Sequence, residues 1–120
     1  MASDIDKKQS NRLPGRYKQF IAEYPALDDA HEAIARAVAE AGPLDARTCE
    51  LVKIGLSVGA GLESALRAHV RKAMQAGATR REIEQAILLA MNTLGFPRTV
   101  AAWSWAQIQF ERDKEDAGGE

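Results

Sequence analysis

Three side chains of this 120-residue chain have the types and the spacing for acid–base chemistry: Glu50, Lys53 and His69. A carboxylate beside an imidazole orients it and favours its protonated form, while burial favours the neutral form. Such a pair can therefore both give and take protons. Glu50 and Lys53 stand three residues apart, the spacing of an ordinary ion pair on a helix surface. Between Glu50 and His69 lies Gly59-Ala60-Gly61, a tight turn that should lay the flanking helices antiparallel. Glu50 precedes that turn by about one helix length and His69 follows it by about two turns, so both can converge on one apolar pocket. A lone histidine on an apolar stripe is also how a satisfied core histidine looks. Spacing alone leaves both readings open.

Other chemistries find little purchase. One cysteine, Cys49, leaves no internal disulfide, no Cys-x-x-Cys pair and no multi-cysteine zinc site, and it reads as a small core residue. Two histidines, His31 and His69, do not make a histidine-rich metal site, so no metal is expected. Sixteen Lys and Arg face seventeen Asp and Glu, a net charge of -1 without the basic footprint of a nucleic-acid binder. Arg98, Thr99, Gln107 and Gln109 could serve a recognition helix, but they stand amid Trp, Ala and Val, and no nucleic-acid partner is expected. Residues 1–12 carry no apolar stretch of the signal-peptide kind, and no run reaches the roughly 18 apolar residues of a membrane span. The expectation is a cytoplasmic protein with no membrane partner.

The elements that must position the three side chains are helices. Twenty-two alanines against seven aromatic residues favour helix formation and close helix approach. Breakers at Pro25, Gly42-Pro43, Gly59–Gly61, Gly77 and Gly95-Phe96-Pro97 cut the chain into six helix-length pieces. The first runs from about Gly15 to Glu23. The second, Asp28 to Ala41, takes Asp28 or Asp29 as its cap and shows an Ile34/Val38 face. The third starts near Asp45 and ends before Gly59. Cys49, Val52 and Leu56 make one of its stripes, and Leu51, Ile54, Gly55 and Val58 another. Glu50, Lys53 and Ser57 form a polar line through that apolar surface. The fourth runs from about Leu62 to Ala76, with Gly77 as C-terminal cap and His69 on the stripe of Leu62, Ala65, Leu66 and Ala73. The fifth opens with the capping box Thr79–Glu82 and stops at Gly95. The sixth starts at Pro97 and carries Trp103 and Trp105 on two faces, more apolar surface than one small core covers. A subunit interface burying Trp103 or Trp105 follows as an expectation. No segment alternates strictly, so no strand is expected. Residues 1–13 and 111–120 are polar and read as disordered tails around a single domain over 14–110.

The stretch from Leu44 to Ala106 resembles the carboxymuconolactone decarboxylase family, which includes alkylhydroperoxidase D. The resemblance rests on Leu44-Asp45 through Glu50-Leu51, Leu66-Arg67-Ala68-His69, Gly77-Ala78-Thr79 with Glu82-Ile83, and Gly95-Phe96-Pro97, taken in order. Residues 17–38 are similar to the family's lead-in helix. The resemblance implies an all-α bundle of about six helices, alkylhydroperoxidase D-like, assembled as a homotrimer or homohexamer. It also implies Glu50 and His69 as the catalytic pair. In the peroxidase branch a cysteine pair would stand where this chain has Leu62 and Ala65, so the thiol cycle is not expected. The decarboxylase branch needs no cysteine and no cofactor. It implies loss of carbon dioxide from a small carboxylated lactone or organic acid, with His69 as acid, Glu50 orienting it, and Arg67 or Lys53 holding the substrate carboxylate. Its pattern often has an acidic residue where this chain has Ala65. A non-catalytic, ligand-binding oligomer of the same fold is the alternative.

Overall fold

The computed structural model describes residues 15–118, and these form helices and turns with no strand among them. Its contacts divide the chain into two compact units, Met1–Pro43 and Leu44–Glu120. The 14–110 span expected as one domain crosses that boundary. The expected tail over 1–13 lies outside the described residues.

The first unit contains α1 (Gly15–Glu23) and α2 (Pro25–Glu40). Phe20 and Tyr24 close the α1 end with ring centroids 5.3 Å apart. Helix α2 begins three residues earlier than the sequence suggested. Pro25, with its fixed φ and missing N–H, takes the first turn, and Asp28 lies inside that turn rather than capping it. Leu27, Ile34 and Val38 are exposed.

The second unit holds α3 (Ala46–Ala60), α4 (Glu63–Gln75), α5 (Arg80–Leu88), α6 (Met91–Leu94) and α7 (Phe96–Gly118). These make seven helices among the described residues, one of only four residues, in keeping with the expected all-α bundle of about six. The fifth piece breaks at Leu89–Ala90, where the backbone keeps right-handed dihedrals but opens the ladder without any glycine or proline to announce it. Helices α3 and α4 pack against each other, α3 also against α5, and α7 along α4 and α5. Ile54 and Val58, Leu66 and Val70, Ile83 and Ile87 fill the core with no exposed surface. Full burial of each such side chain stabilises by about 1.5–3 kcal/mol.

Local chemistry sets the ends. Asp45 accepts a hydrogen bond from the Thr48 N–H at 2.8 Å and caps α3. Thr79 and Glu82 exchange bonds across the start of α5, completing the capping box. Gly61 and Gly77, both at positive φ, close α3 and α4 in the same way. Each glycine N–H reaches the carbonyl of Val58 or Met74, and the next N–H reaches Ser57 or Ala73. At Gly61 the Arg98 guanidinium adds bonds to the Val58 and Gly59 carbonyls at 3.1 and 3.2 Å. A Cβ on Gly61 would stand 2.6 Å from Arg98 Nη1, whereas one on Gly77 would meet nothing within 4 Å. Gly77→Ala is expected to cost the left-handed strain alone, about 1–2 kcal/mol. Gly61→Ala is expected to cost more, because the arginine cap must also move. Urea midpoints of the two variants check the order.

Helix α7 packs through residues other than its tryptophans and corrects one expectation. Its buried line is Thr99, Ala102, Ala106, Gln109 and Phe110, not the tryptophans. Trp105 packs partly against the core. Trp103 stays 42% exposed, with its indole N–H donating to Glu84 at 3.1 Å. The helix also continues to Gly118, so residues 111–118, expected as loose chain, are helical. Phe110 is buried under the Arg80 guanidinium, and Gln109 donates to Asp113 at 2.8 Å, which carries the order past Phe110.

Candidate functional site

Glu50 sits in the second turn of α3 and His69 at the middle of α4. The Gly61 closure turns the chain back so that the two helices pack side by side, and the side chains meet. Glu50 Oε1 lies 2.7 Å from His69 Nδ1, with both partly buried. Lys53 Nζ stands 3.7 Å from Glu50 Oε2, one turn along α3. Burial pushes the Glu50 carboxyl up. The His69 hydrogen bond and the charges of His69, Lys53 and Lys72 outweigh it and hold the group below its ordinary value of 4.5. Glu50 is therefore ionised at neutral pH and can only accept. Nδ1 must then carry the proton and donate to Glu50, which leaves Nε2 as the ring nitrogen free to meet a substrate.

Two of the four expected site residues need separate treatment. Lys53 joins the pair through Glu50. Arg67 does not. Its Nε donates to Gln109 Oε1 at 3.2 Å and its Nη1 stands 4.0 Å from Glu63. Two residues before His69 on one helix, Arg67 is turned roughly 160° away around the axis. The expected polar line of α3 also splits, because Ser57 is buried and returns its hydroxyl to the Lys53 carbonyl at 2.8 Å. The sequence reading missed Lys72. It lies one turn after His69, so its charge reaches the same carboxylate, and the i, i+3 spacing from His69 was the available signal.

Cys49, next to Glu50 in sequence, points its thiol to the Leu44 carbonyl at 3.6 Å. The four polar residues of a possible recognition helix are all engaged. Arg98 caps α3, Thr99 bonds the Gly95 carbonyl, Gln107 meets Arg80 and Glu84, and Gln109 meets Arg67 and Asp113. Among the described residues no three His, Cys, Asp or Glu side chains gather as a metal site would need, and no helix is long and apolar enough to cross a membrane.

A groove of about 530 Å³ runs between α3, α5 and α6, with Leu51, Val52 and Gly55 on one side and Ala86, Leu89 and Leu94 on the other. Glu50 is not among its lining residues. At 3.6 residues per turn it points roughly 150° away from the groove-lining face of α3.

The fold and the site define an all-helical protein with a carboxylate–imidazole pair shared by two antiparallel helices. The chain belongs to the carboxymuconolactone decarboxylase family, whose model matches residues 25–107. It is 31% identical over 67 residues to an uncharacterized protein of Haemophilus influenzae. That match covers 56% of this chain and 59% of the relative, so the chain spans less than two thirds of the curated relative it matches. No solved structure matches it.

Proposed function

We propose that the protein is a cofactor-free acid–base enzyme of the decarboxylase kind, acting on a small carboxylated lactone or organic acid. The observation that carries this reading is the 2.7 Å contact between Glu50 Oε1 and His69 Nδ1. Lys53, with Lys72 nearby, supplies positive charge for a substrate carboxylate. Arg67 would have to leave Gln109 and Glu63 to do so. In the proposed step the bond from the ring carbon to the carboxylate breaks and carbon dioxide leaves. The electron pair spreads onto the lactone carbonyl as an enolate. Protonated His69 then gives its Nε2 proton to the carbon, while Glu50 stabilises the charged ring. Water restores the proton.

The test is carbon dioxide release from a panel of carboxylated unsaturated lactones, with Cys49→Ser as a companion variant. Turnover by both proteins, with no thiol-dependent reduction of hydroperoxides, is the expected result. A large loss in Cys49→Ser at unchanged helicity would overturn it in favour of thiol chemistry, which Leu62 and Ala65 at the cysteine-pair positions oppose. One observation favours a second reading, a non-catalytic ligand-binding member of the family: the groove between α3 and α5 faces away from His69. Saturable lactone binding without turnover would support that reading.

A further inference from the structure

Two lysines flank the Glu50–His69 pair, and they stand in different electrostatic states. Lys53 lies three residues after Glu50 on α3, and Lys72 three residues after His69 on α4. Three residues turn a helix by about 300° and advance it by about 4.5 Å. Because α3 and α4 run antiparallel, the two steps lead in opposite directions along the site, one toward the Gly61 turn and one away from it. Ile54 on α3 and Val70 on α4 mark the closed flank of the pair, with no exposed surface. Lys53 Nζ stands 3.7 Å from Glu50 Oε2, and its side chain is only 32% exposed. Lys72 is exposed, and among the described residues no carboxylate closes an ion pair with it, although its charge reaches Glu50. The neighbouring arginines are placed elsewhere. Arg67 is bound to Gln109 and Glu63. Arg71, two residues after His69, is turned roughly 160° from it around the axis.

Under the decarboxylase reading, on which this inference rests, a free cation beside the breaking bond works against the reaction. The leaving carboxylate is charged and the carbon dioxide it becomes is neutral. An ammonium on that group therefore stabilises the ground state more than the transition state. A cation that holds a group whose charge persists through the reaction does no such harm. Lys53, neutralised by Glu50, suits the neighbourhood of the breaking bond. Lys72, whose charge no close carboxylate cancels, suits the second task. We infer that Lys72 is the anchoring residue of the site: its ammonium holds an anionic group that the substrate keeps, about one helical turn from the imidazole, while Lys53 stays with Glu50. An ammonium is a compact charge on a flexible stem, so it takes a carboxylate without the fixed bidentate geometry that an arginine requires.

The test is a titration of the full chain with benzoate, a small ring carboxylate that keeps its charge. The readout is the ring-proton resonances of His69 by nuclear magnetic resonance, assigned with His69→Gln. Saturable shifts with benzoate and none with uncharged benzamide are expected. Lys72→Met should weaken benzoate about tenfold, the scale of one hydrogen bond to a charged group, and Lys72→Arg should restore most of the loss. Lys53→Met should weaken it about twofold or less, because that ammonium already has its carboxylate. Lys72 is exposed and methionine is an equally good helix former, so the variant keeps its fold. On a lactone that turns over, Lys72→Met should raise KM by a similar factor and change kcat far less, the mark of lost uniform binding. No benzoate shift in the parent, equal affinity of parent and Lys72→Met, or a larger loss in Lys53→Met would each overturn the inference. The titration needs no turnover. Benzoate binding that depends on Lys72, without carbon dioxide release from any lactone, would uphold the anchoring site and overturn the decarboxylase reading alone.

Discussion

His69→Gln is expected to lower turnover on a carboxylated lactone by about 10²- to 10⁴-fold while the helical fold survives. The glutamine side chain can still reach Glu50 but cannot deliver a proton. Glu50→Gln keeps shape and loses charge. In the parent protein Glu50 accepts from Nδ1 at 2.7 Å and orients the ring. Without that charge turnover should fall. The double variant should lose little more than His69→Gln alone, because residues that act as a unit lose most of their value with either member. Losses that simply add, or a fully active His69→Gln protein, would leave the pair as a packing feature.

The same carboxylate makes a stability prediction with a fixed sign. Its pKa is lower in the folded chain than the ordinary 4.5. A depressed carboxylate binds fewer protons folded than unfolded, so its contribution is complete above 4.5 and is lost as pH falls through the folded value. Glu50→Gln has no such contribution to lose. Its stability should fall less steeply than the parent's between neutral pH and the acid range below 4.5.

How much of this was legible in the sequence depended on how local the determinant was. The Thr79–Glu82 box, the Asp45 cap and the Gly77 closure each depend on four or five consecutive residues, and each could be read directly. The Glu50–His69 meeting is long-range, yet one local device decides it. A tight glycine turn leaves the two helices little choice but to run back along each other. Burial was harder to read, because it depends on what lies opposite. On α7 the sequence drew attention to Trp103 and Trp105, while the helix packs through Ala102 and Ala106, where small side chains let α4 and α5 come close. The break between α5 and α6 had no glycine or proline to mark it. The Arg80 guanidinium that covers Phe110 comes from thirty positions upstream, and the bond from Gln109 to Asp113 carries the helix on from there.

The sharpest consequence of that difference is a comparison of two leucines. Leu56 and Leu66 both lay on apolar stripes of adjoining helices, and hydropathy gives no means of ranking them. In the folded chain Leu66 has no exposed surface and packs with Ile54, Val70 and Ile83, whereas Leu56 is 67% exposed. Leu66→Ala removes core contacts and leaves a cavity that its neighbours only partly close, so a loss of about 2–5 kcal/mol is expected. Leu56→Ala removes little buried area within the chain and exchanges one good helix former for another, so its protomer should change by about 0.5 kcal/mol or less. Unfolding by urea separates the two. Leu66→Ala should lower the midpoint at every protein concentration. Leu56→Ala should leave it close to the parent's. If Leu56→Ala costs as much as Leu66→Ala at every concentration, Leu56 is buried within the chain and the exposed apolar face of α3 is smaller than the structure shows.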